Sequence, residues 1–287
     1  MSVGCIQVLY NPNIIILEKS INNILKQVDF LVIVDNSPKK NNLNFTISSK
    51  EKIVYIFNND NLGIAEAQNI GIKELKRKGC DFVYFTDQDS IPPNDIITKL
   101  LSDYNILENL GYNVGAIGPT VINRQNNKPY KARINKGTII DKNITQVTEL
   151  ISSGTLTKMN ILDKVGYMES SLFIDGVDHE WCWRANNIGN YKFFITSNAK
   201  LSHQLGEGDH HFLGIDIAIS TPFRSYYQFR NFIILCRRKY VPFYWKFSNG
   251  IKYFIKLFYY PLFVSPRLGH IKRMYKGIID GIGYKKE

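Results

Sequence analysis

The first 120 residues alternate short apolar runs with stretches of helical periodicity, a pattern that few folds accept. Cys5–Tyr10, Phe30–Val34, Ile53–Phe57 and Phe82–Phe85 read as strands. Between the first two, behind Pro12, Ile14, Leu17, Ile21, Ile24, Leu25 and Val28 recur at helical spacing. Ile64, Ala67, Ile70, Gly71 and Leu75 do the same over Ile64–Lys78, with Gly79 as a stop. Strands alternating with helices predict a parallel sheet covered on both faces. Ligands of such sheets bind beyond the carboxyl ends of strands, at a switch in strand order. The residues just after each strand are acidic or amide-rich: Asp35, Asn58 to Asn61, and Asp87-Gln-Asp89.

At 287 residues and 44% hydrophobic content, the chain accommodates one large α/β domain with a small appended module. Its formal charge of +11 is unevenly placed. Residues 237–287 hold 12 Lys/Arg against Asp280 and Glu287, which leaves the rest of the chain almost neutral. Cys5, Cys80, Cys182 and Cys236 are scattered without metal-binding spacing, and suit reduced thiols in a cytoplasmic protein. No signal-peptide pattern is visible and no apolar stretch reaches spanning length, so a cytoplasmic location is expected. Two glycosylation-type tripeptides, at Asn44 and Asn143, carry no meaning there. The phosphate loop G-x-x-x-x-G-K-[ST], a Gly-rich dinucleotide turn after the first strand and a G-x-S-x-G elbow are all missing. ATPase, nicotinamide dehydrogenase and α/β-hydrolase readings thereby lose their main supports.

Three constellations carry possible chemistry. In Phe82-Val-Tyr-Phe-Thr-Asp87-Gln-Asp89 an apolar strand delivers two carboxylates into a turn sealed by Pro92-Pro93. Such hard oxygen ligands suit Mg²⁺ or Mn²⁺ shared with a diphosphate, although a solvated turn has the same composition. Asp175-Gly-Val-Asp178-His-Glu180, followed by Arg184, offers a general base separate from that pair. The alternatives are an N-cap at Asp178 and an ordinary helix pair between Glu180 and Arg184. His203, after a strand at Tyr191–Ile195, could complete a metal site or hold a phosphate, or could be structural. Residues 123–150 are polar and turn-rich and read as hairpins or an insertion.

The order of the pieces is more specific than any one of them. Val8-Leu-Tyr10-Asn-Pro12, Val34-Asp35-Asn-Ser37, Asn61-Leu-Gly63-Ile-Ala65-x-Ala67-x-Asn69-x-Gly71, Thr86-Asp-Gln-Asp-Ser90, Ser152-Ser153-Gly154, Phe173-Ile-Asp175-x-Val-Asp178-x-Glu180-Trp-Cys-x-Arg184 and His203-x-x-Gly206 follow one another. Tyr226-Tyr-Gln-x-Arg230-Asn231 then ends the stretch. This succession resembles family 2 glycosyltransferases with the GT-A fold, and within them the bacterial rhamnosyltransferase branch. The resemblance covers about residues 5 to 235 and implies a Rossmann-like mixed sheet flanked by helices. It implies a catalytic domain over 1–218 and a helical, basic-aromatic extension over 219–287. It also implies an inverting transfer, with dTDP-L-rhamnose as donor and a glycan or lipid-diphosphate-linked saccharide as acceptor. A UDP-hexose donor is the alternative.

The resemblance further assigns roles. Tyr10 and Asp35 should contact the base, Asn61 and Gly63 the nucleoside, and Asp87 the ribose or diphosphate. Asp89 should bind Mg²⁺ or Mn²⁺, with His203 assisting. Asp178 falls at the position of the catalytic base. Most relatives carry an acidic residue just before it, where this chain has Val177, and Asp175 is the alternative base. Ser153, Gly154, Glu180 and Arg184 are candidates around the acceptor.

The extension is aromatic as well as basic: from Tyr240 to Phe263, 11 of 24 residues are aromatic, interleaved with lysines. Such a segment suits helices lying on an anionic membrane surface, at the inner face of the cell membrane. A core-packed cap or an oligomer contact is the alternative. A sugar-nucleotide pyrophosphorylase would need a Gly-rich basic loop after the first strand, and Tyr10-Asn-Pro12 is none of that. A nucleic-acid-binding protein would spread its positive stripe over a recognised module, so no nucleic-acid partner is expected.

Overall fold

The computed structural model describes residues 1–43, 51–123, 137–203, 209–212 and 215–285, the backbone alone at 203, 209–212 and 215–218. The predicted alternation is present in β1 (Val3–Leu9), α1 (Ile14–Ile24), β2 (Phe30–Asp35), β3 (Ile53–Phe57), α2 (Gly63–Arg77) and β4 (Phe82–Asp87). Helix α1 ends at Ile24, four residues before Val28, which is buried beyond it. There follow α3 (Ile96–Asn109), β5 (Val114–Asn123), β6 (Thr138–Asp141), β7 (Ile144–Val147), β8 (Leu156–Lys158) and α4 (Met159–Val165). The described chain continues through α5 (Val177–Gly189), β9 (Lys192–His203), β10 (Asp209–Phe212) and β11 (Ile215–Ala218). It ends in α6 (Pro222–Cys236), α7 (Phe243–Phe263) and α8 (Arg267–Gly283).

Nine strands form one mixed sheet in the order β3-β2-β1-β4-β8-β5-β9-β7-β6. The first four are mutually parallel, and β8 is antiparallel to both its neighbours. Strand order reverses at β1, which lies between β2 and β4 with Leu9 opposite Asp35 and Val8 opposite Asp87. The carboxyl ends of these three strands therefore meet at one switch point, where α/β sheets bind ligands. The polar stretch after β5 contributes the hairpin β6–β7, while 124–136 lie outside the described residues.

Hydrophobic burial anchors both faces of the sheet. On one face, Leu17 and Ile21 of α1 and Leu100 and Tyr104 of α3 cover Cys5, Ile33 and Tyr84. On the other, Ala67 and Leu75 of α2, Leu162 of α4 and Trp181 of α5 cover Ile6, Val32 and Val83. Ile234 and Leu235 of α6 belong to this second core, so α6 is built into the α/β body. A smaller cluster of Phe229, Tyr259, Tyr260, Val264 and Met274 joins α6, α7 and α8. Pro261 lies inside α7, whereas Pro242 and Pro266 cap α7 and α8.

Candidate active site

An open cleft of about 660 Å³ lies at the switch point. Its wall includes Tyr10 after β1, Asn36 after β2, Asn61 and Gly63 at the start of α2, and Asp87, Gln88 and Asp89 after β4. The lining also includes Ser152, Ser153, Phe173, Ile174 and Asp178, with Thr221, Phe223 and Arg224 from the start of α6. The volume is that of a small-molecule site.

The α2 side is set by backbone geometry. Gly63 has φ +81°, and a Cβ there would lie 2.7 Å from both the Phe173 ring and the Phe173 carbonyl oxygen, so only glycine fits. The close approach lets the Phe173 carbonyl accept from Ile64 N (2.8 Å), while Asn61 Oδ1 accepts from Gly63 N (3.0 Å). These two contacts satisfy donors that a helix start leaves open. Asn69 ties the same helix to the loop before Phe173, donating to the Met168 carbonyl (2.9 Å) and accepting from Met168 N (2.8 Å).

The carboxylates after β4 are held through the serine motif. Asp87 N donates to Ser153 Oγ (3.4 Å), and Ser153 shares a hydrogen bond with Ser90 (2.8 Å). Gly154, at φ +88°, returns its N–H to the Phe85 carbonyl (2.8 Å) and lies behind the wall. Gln88 and Tyr10 exchange two hydrogen bonds, Tyr10 N to Gln88 Oε1 (2.7 Å) and Gln88 Nε2 to the Tyr10 carbonyl (3.1 Å). They join the ends of β1 and β4 and leave the Tyr10 side chain half exposed at the mouth.

Asp178 faces the same cleft from the first turn of α5. It is not the N-cap; Gly176, in the left-handed region, takes that place. One carboxylate oxygen accepts from Ser152 N (3.2 Å) and the other from His179 N (2.9 Å), which fixes its direction. The loop before it is unusual. Phe173 and Asp175 have φ of +64° and +65°, a costly conformation for non-glycine residues and one that collects at functional sites. Tyr227 of α6 stacks on Phe173 at 4.6 Å. Asn231 Nδ2 donates to the carbonyls of Leu172 (2.8 Å) and Ile174 (2.7 Å), and Arg230 to that of Ser171 (2.6 Å). The Arg230-Asn231 pair is thus a clamp on the loop that delivers Asp178.

Besides Gly154, four described site residues expected from the sequence lie elsewhere than the cleft wall. Asp35 is fully buried, accepting from Ser37 N (2.8 Å), Asn41 Nδ2 (2.7 Å) and the Tyr55 hydroxyl (2.5 Å). Burial pushes its carboxyl up, but the hydrogen bonds from Ser37, Tyr55 and Asn41 outweigh this and hold it below the usual aspartate range. Burial and the Asp35 carboxylate together push the Tyr55 hydroxyl up. Asp175 is engaged by Arg224 through two contacts, at 2.5 and 3.2 Å. Glu180 is buried, paired with Arg184 (2.9 Å) and accepting from Tyr240 (2.6 Å), so the ordinary helix pair is what this spacing encodes. Arg184 spends its remaining donors on the carbonyls of Val165 (2.7 Å) and Tyr167 (2.7 Å).

His203 ends β9, which runs from Lys192 well beyond the strand expected at Tyr191–Ile195. Its backbone pairs with Asn123, and its neighbour Ser202 bridges Ile91, two residues beyond Asp89. Its side chain lies outside the described residues. Asn36, within the Val34–Ser37 motif, carried no assigned role, and Phe223 and Arg224 were not singled out; the last two reach the cleft because α6 folds back, and a partner 49 residues from Asp175 has no local signature.

The sequence profile described as "Glycosyl transferase family 2" matches residues 8–166. The chain is 34% identical over 298 residues to the dTDP-rhamnosyl transferase RfbF of Shigella flexneri, covering 98% of this chain and 95% of that protein. Among solved structures, S. aureus TarS matches with TM-score 0.61 and 13% identity over 99% of this chain. The chain spans about half of that TarS structure (49%). TarS 1-349 in complex with UDP-GlcNAc matches with TM-score 0.61 and 14% identity, covering 98% of this chain and 81% of that one. GalNAc-T7 with UDP, GalNAc and Mn²⁺ gives TM-score 0.56 and 12% identity over 91% of this chain and 57% of that one. These distant structures share the GT-A fold with the chain. The chain is a glycosyltransferase and belongs to glycosyl transferase family 2, alongside the Shigella rhamnosyl transferase.

Proposed function

We propose that the protein is an inverting, metal-dependent transferase that moves L-rhamnose from dTDP-L-rhamnose to a hydroxyl of a glycan or a lipid-diphosphate-linked saccharide, in cell-surface polysaccharide biosynthesis. The observation that carries this reading is the placement of Asp178 in one cleft with Asp87 and Asp89, with both its oxygens oriented by backbone N–H groups. A base separate from the diphosphate-facing carboxylates, within the same cleft, is the division of labour that an in-line displacement needs. The donor follows from the name of the Shigella relative.

In this reading Tyr10 serves the base at the cleft mouth, and Asp35 serves it from beneath the wall by fixing Asn41 and Tyr55. Asn61 and Gly63 border the nucleoside, and Asp87 the ribose or diphosphate. The acceptor hydroxyl enters on the Asp178 side and attacks the anomeric carbon opposite the diphosphate. A carbon–oxygen bond forms to the acceptor, the bond to the phosphate oxygen breaks, and the hydroxyl proton passes to Asp178. Inversion follows from that single displacement. Asp175, held by Arg224 outside the wall, supports the turn that aims Asp178.

Asp89, with the end of β9 at His203 as a second contributor, offers the hard donors that Mg²⁺ or Mn²⁺ prefers. Among the described residues no three His, Cys, Asp or Glu side chains enclose an ion. That fits a cation bound by one or two carboxylates and completed by donor phosphates. Once bound, it would stabilise charge on the leaving diphosphate. The C-terminal extension, 219–287, is proposed to make a membrane or oligomer contact at the inner face of the cell membrane.

A panel of nucleotide sugars, scored by thermal shift and hydrolysis with Mg²⁺, with Mn²⁺ and with chelator, tests donor and metal together. Selective stabilisation by dTDP-L-rhamnose that chelator removes is the expected result. Preference for a UDP-hexose would favour the second reading, which the UDP-bound TarS and GalNAc-T7 structures motivate.

A further inference from the structure

The C-terminal helices present two apolar stripes to the outside. On α7, Phe243, Phe247, Ile251, Phe254, Phe258 and Leu262 are exposed, Phe243 to 79% and Phe254 to 63%. Their spacing of three and four residues puts them on one face at about 3.6 residues per turn. That face runs for roughly 28 Å at the usual helical rise. Tyr259 and Tyr260 point the other way, into the cluster with Phe229 and Met274. On α8, Leu268, Ile271, Tyr275, Ile279 and Ile282 repeat the pattern and are exposed. The opposite side of α8 carries Gly277 and Gly281, which lie against the α6 backbone at Tyr226 and Arg230. Single exposed apolar side chains are ordinary, but stripes along two whole helices mark an interaction surface.

Charge selects the occupant. Residues 237–287 carry a net +10, and exposed Arg267 and Lys272 flank the α8 stripe on its two edges. A second copy docked by a two-fold axis would bring two such segments face to face, with no acidic patch in either to neutralise them. An anionic leaflet supplies both hydrocarbon and negative charge. No helix among the described residues is long and apolar enough to cross a membrane, so contact would be in the plane of the headgroups.

We infer that α7 and α8 form an in-plane docking surface for an anionic lipid bilayer, with the phenylalanines of α7 inserting and the basic edge of α8 meeting headgroups. Its purpose rests on the proposed function, because a bilayer would hold a lipid-linked acceptor within reach of the cleft. The surface itself stands on the exposed stripes and the charge.

Vesicle co-sedimentation of the full-length protein without nucleotide sugar tests the surface apart from the chemistry. Phosphatidylcholine vesicles containing phosphatidylglycerol should bind it about tenfold more strongly than pure phosphatidylcholine. The variant Phe247→Glu/Phe254→Glu/Phe258→Glu should lose about tenfold in that partition with an unchanged far-UV spectrum. These side chains lie on the exposed face, and a single milder variant, Phe254→Ser, should show the same direction. Equal binding to neutral and anionic vesicles would overturn the inference. So would a protein that stays in the supernatant, whether monomeric or as a dimer that the triple variant dissociates. Donor binding by thermal shift, measured in parallel, reports separately on the transferase reading.

Discussion

Asp35 and Asp178 end up in opposite situations. Asp35 was expected to meet the donor directly, yet its carboxylate is enclosed by Ser37, Asn41 and Tyr55. A strand-end aspartate looks the same in sequence whether it faces the ligand or braces the loop behind it. Replacing it tests the second role. Asp35→Asn should destabilise the protein by about 1–3 kcal/mol near neutral pH, since hydrogen bonds to a charged acceptor are lost. Its carboxyl is held below the ordinary value, so its contribution is complete above the unfolded aspartate range. That contribution disappears as pH falls through the lowered folded value. Urea unfolding of both proteins at pH 7 and at about pH 3 should therefore show the difference shrinking in acid. Asp178, by contrast, faces the cleft from the first turn of α5, close to the helix start read from the sequence.

At the scale of elements, the parallel half of the sheet was readable because each strand is an apolar run closed by polar residues. The antiparallel half was not. Strand β8 is three residues long, and nothing in Leu156–Lys158 announces insertion between β4 and β5. The clamp of α6 on the loop 171–175 was equally hidden, since its contacts span 56 to 59 residues. Asn231→Leu leaves the Leu172 and Ile174 carbonyls without their donor and should cost about 2–3 kcal/mol of stability. It should also lower kcat, because the loop aims Asp178, and raise the donor KM, because Phe173 of the same loop braces the start of α2. Chemical denaturation and steady-state kinetics check the two parts. Gly63→Ala acts on the other wall. Its Cβ would meet the Phe173 carbonyl at 2.7 Å, so the start of α2 must shift. Donor affinity, read by titration calorimetry, should fall by about tenfold or more for a loss of ~1.4 kcal/mol.

For the whole molecule, charge and core divide the chain differently. The excess positive charge begins near residue 237, whereas the hydrophobic core extends through Ile234, Leu235 and Val241. We propose that the boundary at 218/219 separates functions and does not separate folding units. A chain ending at residue 218 should lose cooperative unfolding, because it lacks the side chains that cover α5 and clamp the Asp178 loop. Thermal scans followed by circular dichroism would show it, and a truncated chain with a sharp, near-native transition would speak against it. The central claim is that one carboxylate in this cleft takes the acceptor proton, and Asp178→Asn tests it most directly. Asparagine keeps the shape and, through its single oxygen, one of the two backbone bonds from Ser152 N and His179 N, but it cannot act as the base. Transfer should fall by about 10²–10⁴-fold while binding of the nucleotide sugar changes little. A variant that binds donor normally and transfers at close to the parent rate would contradict the account.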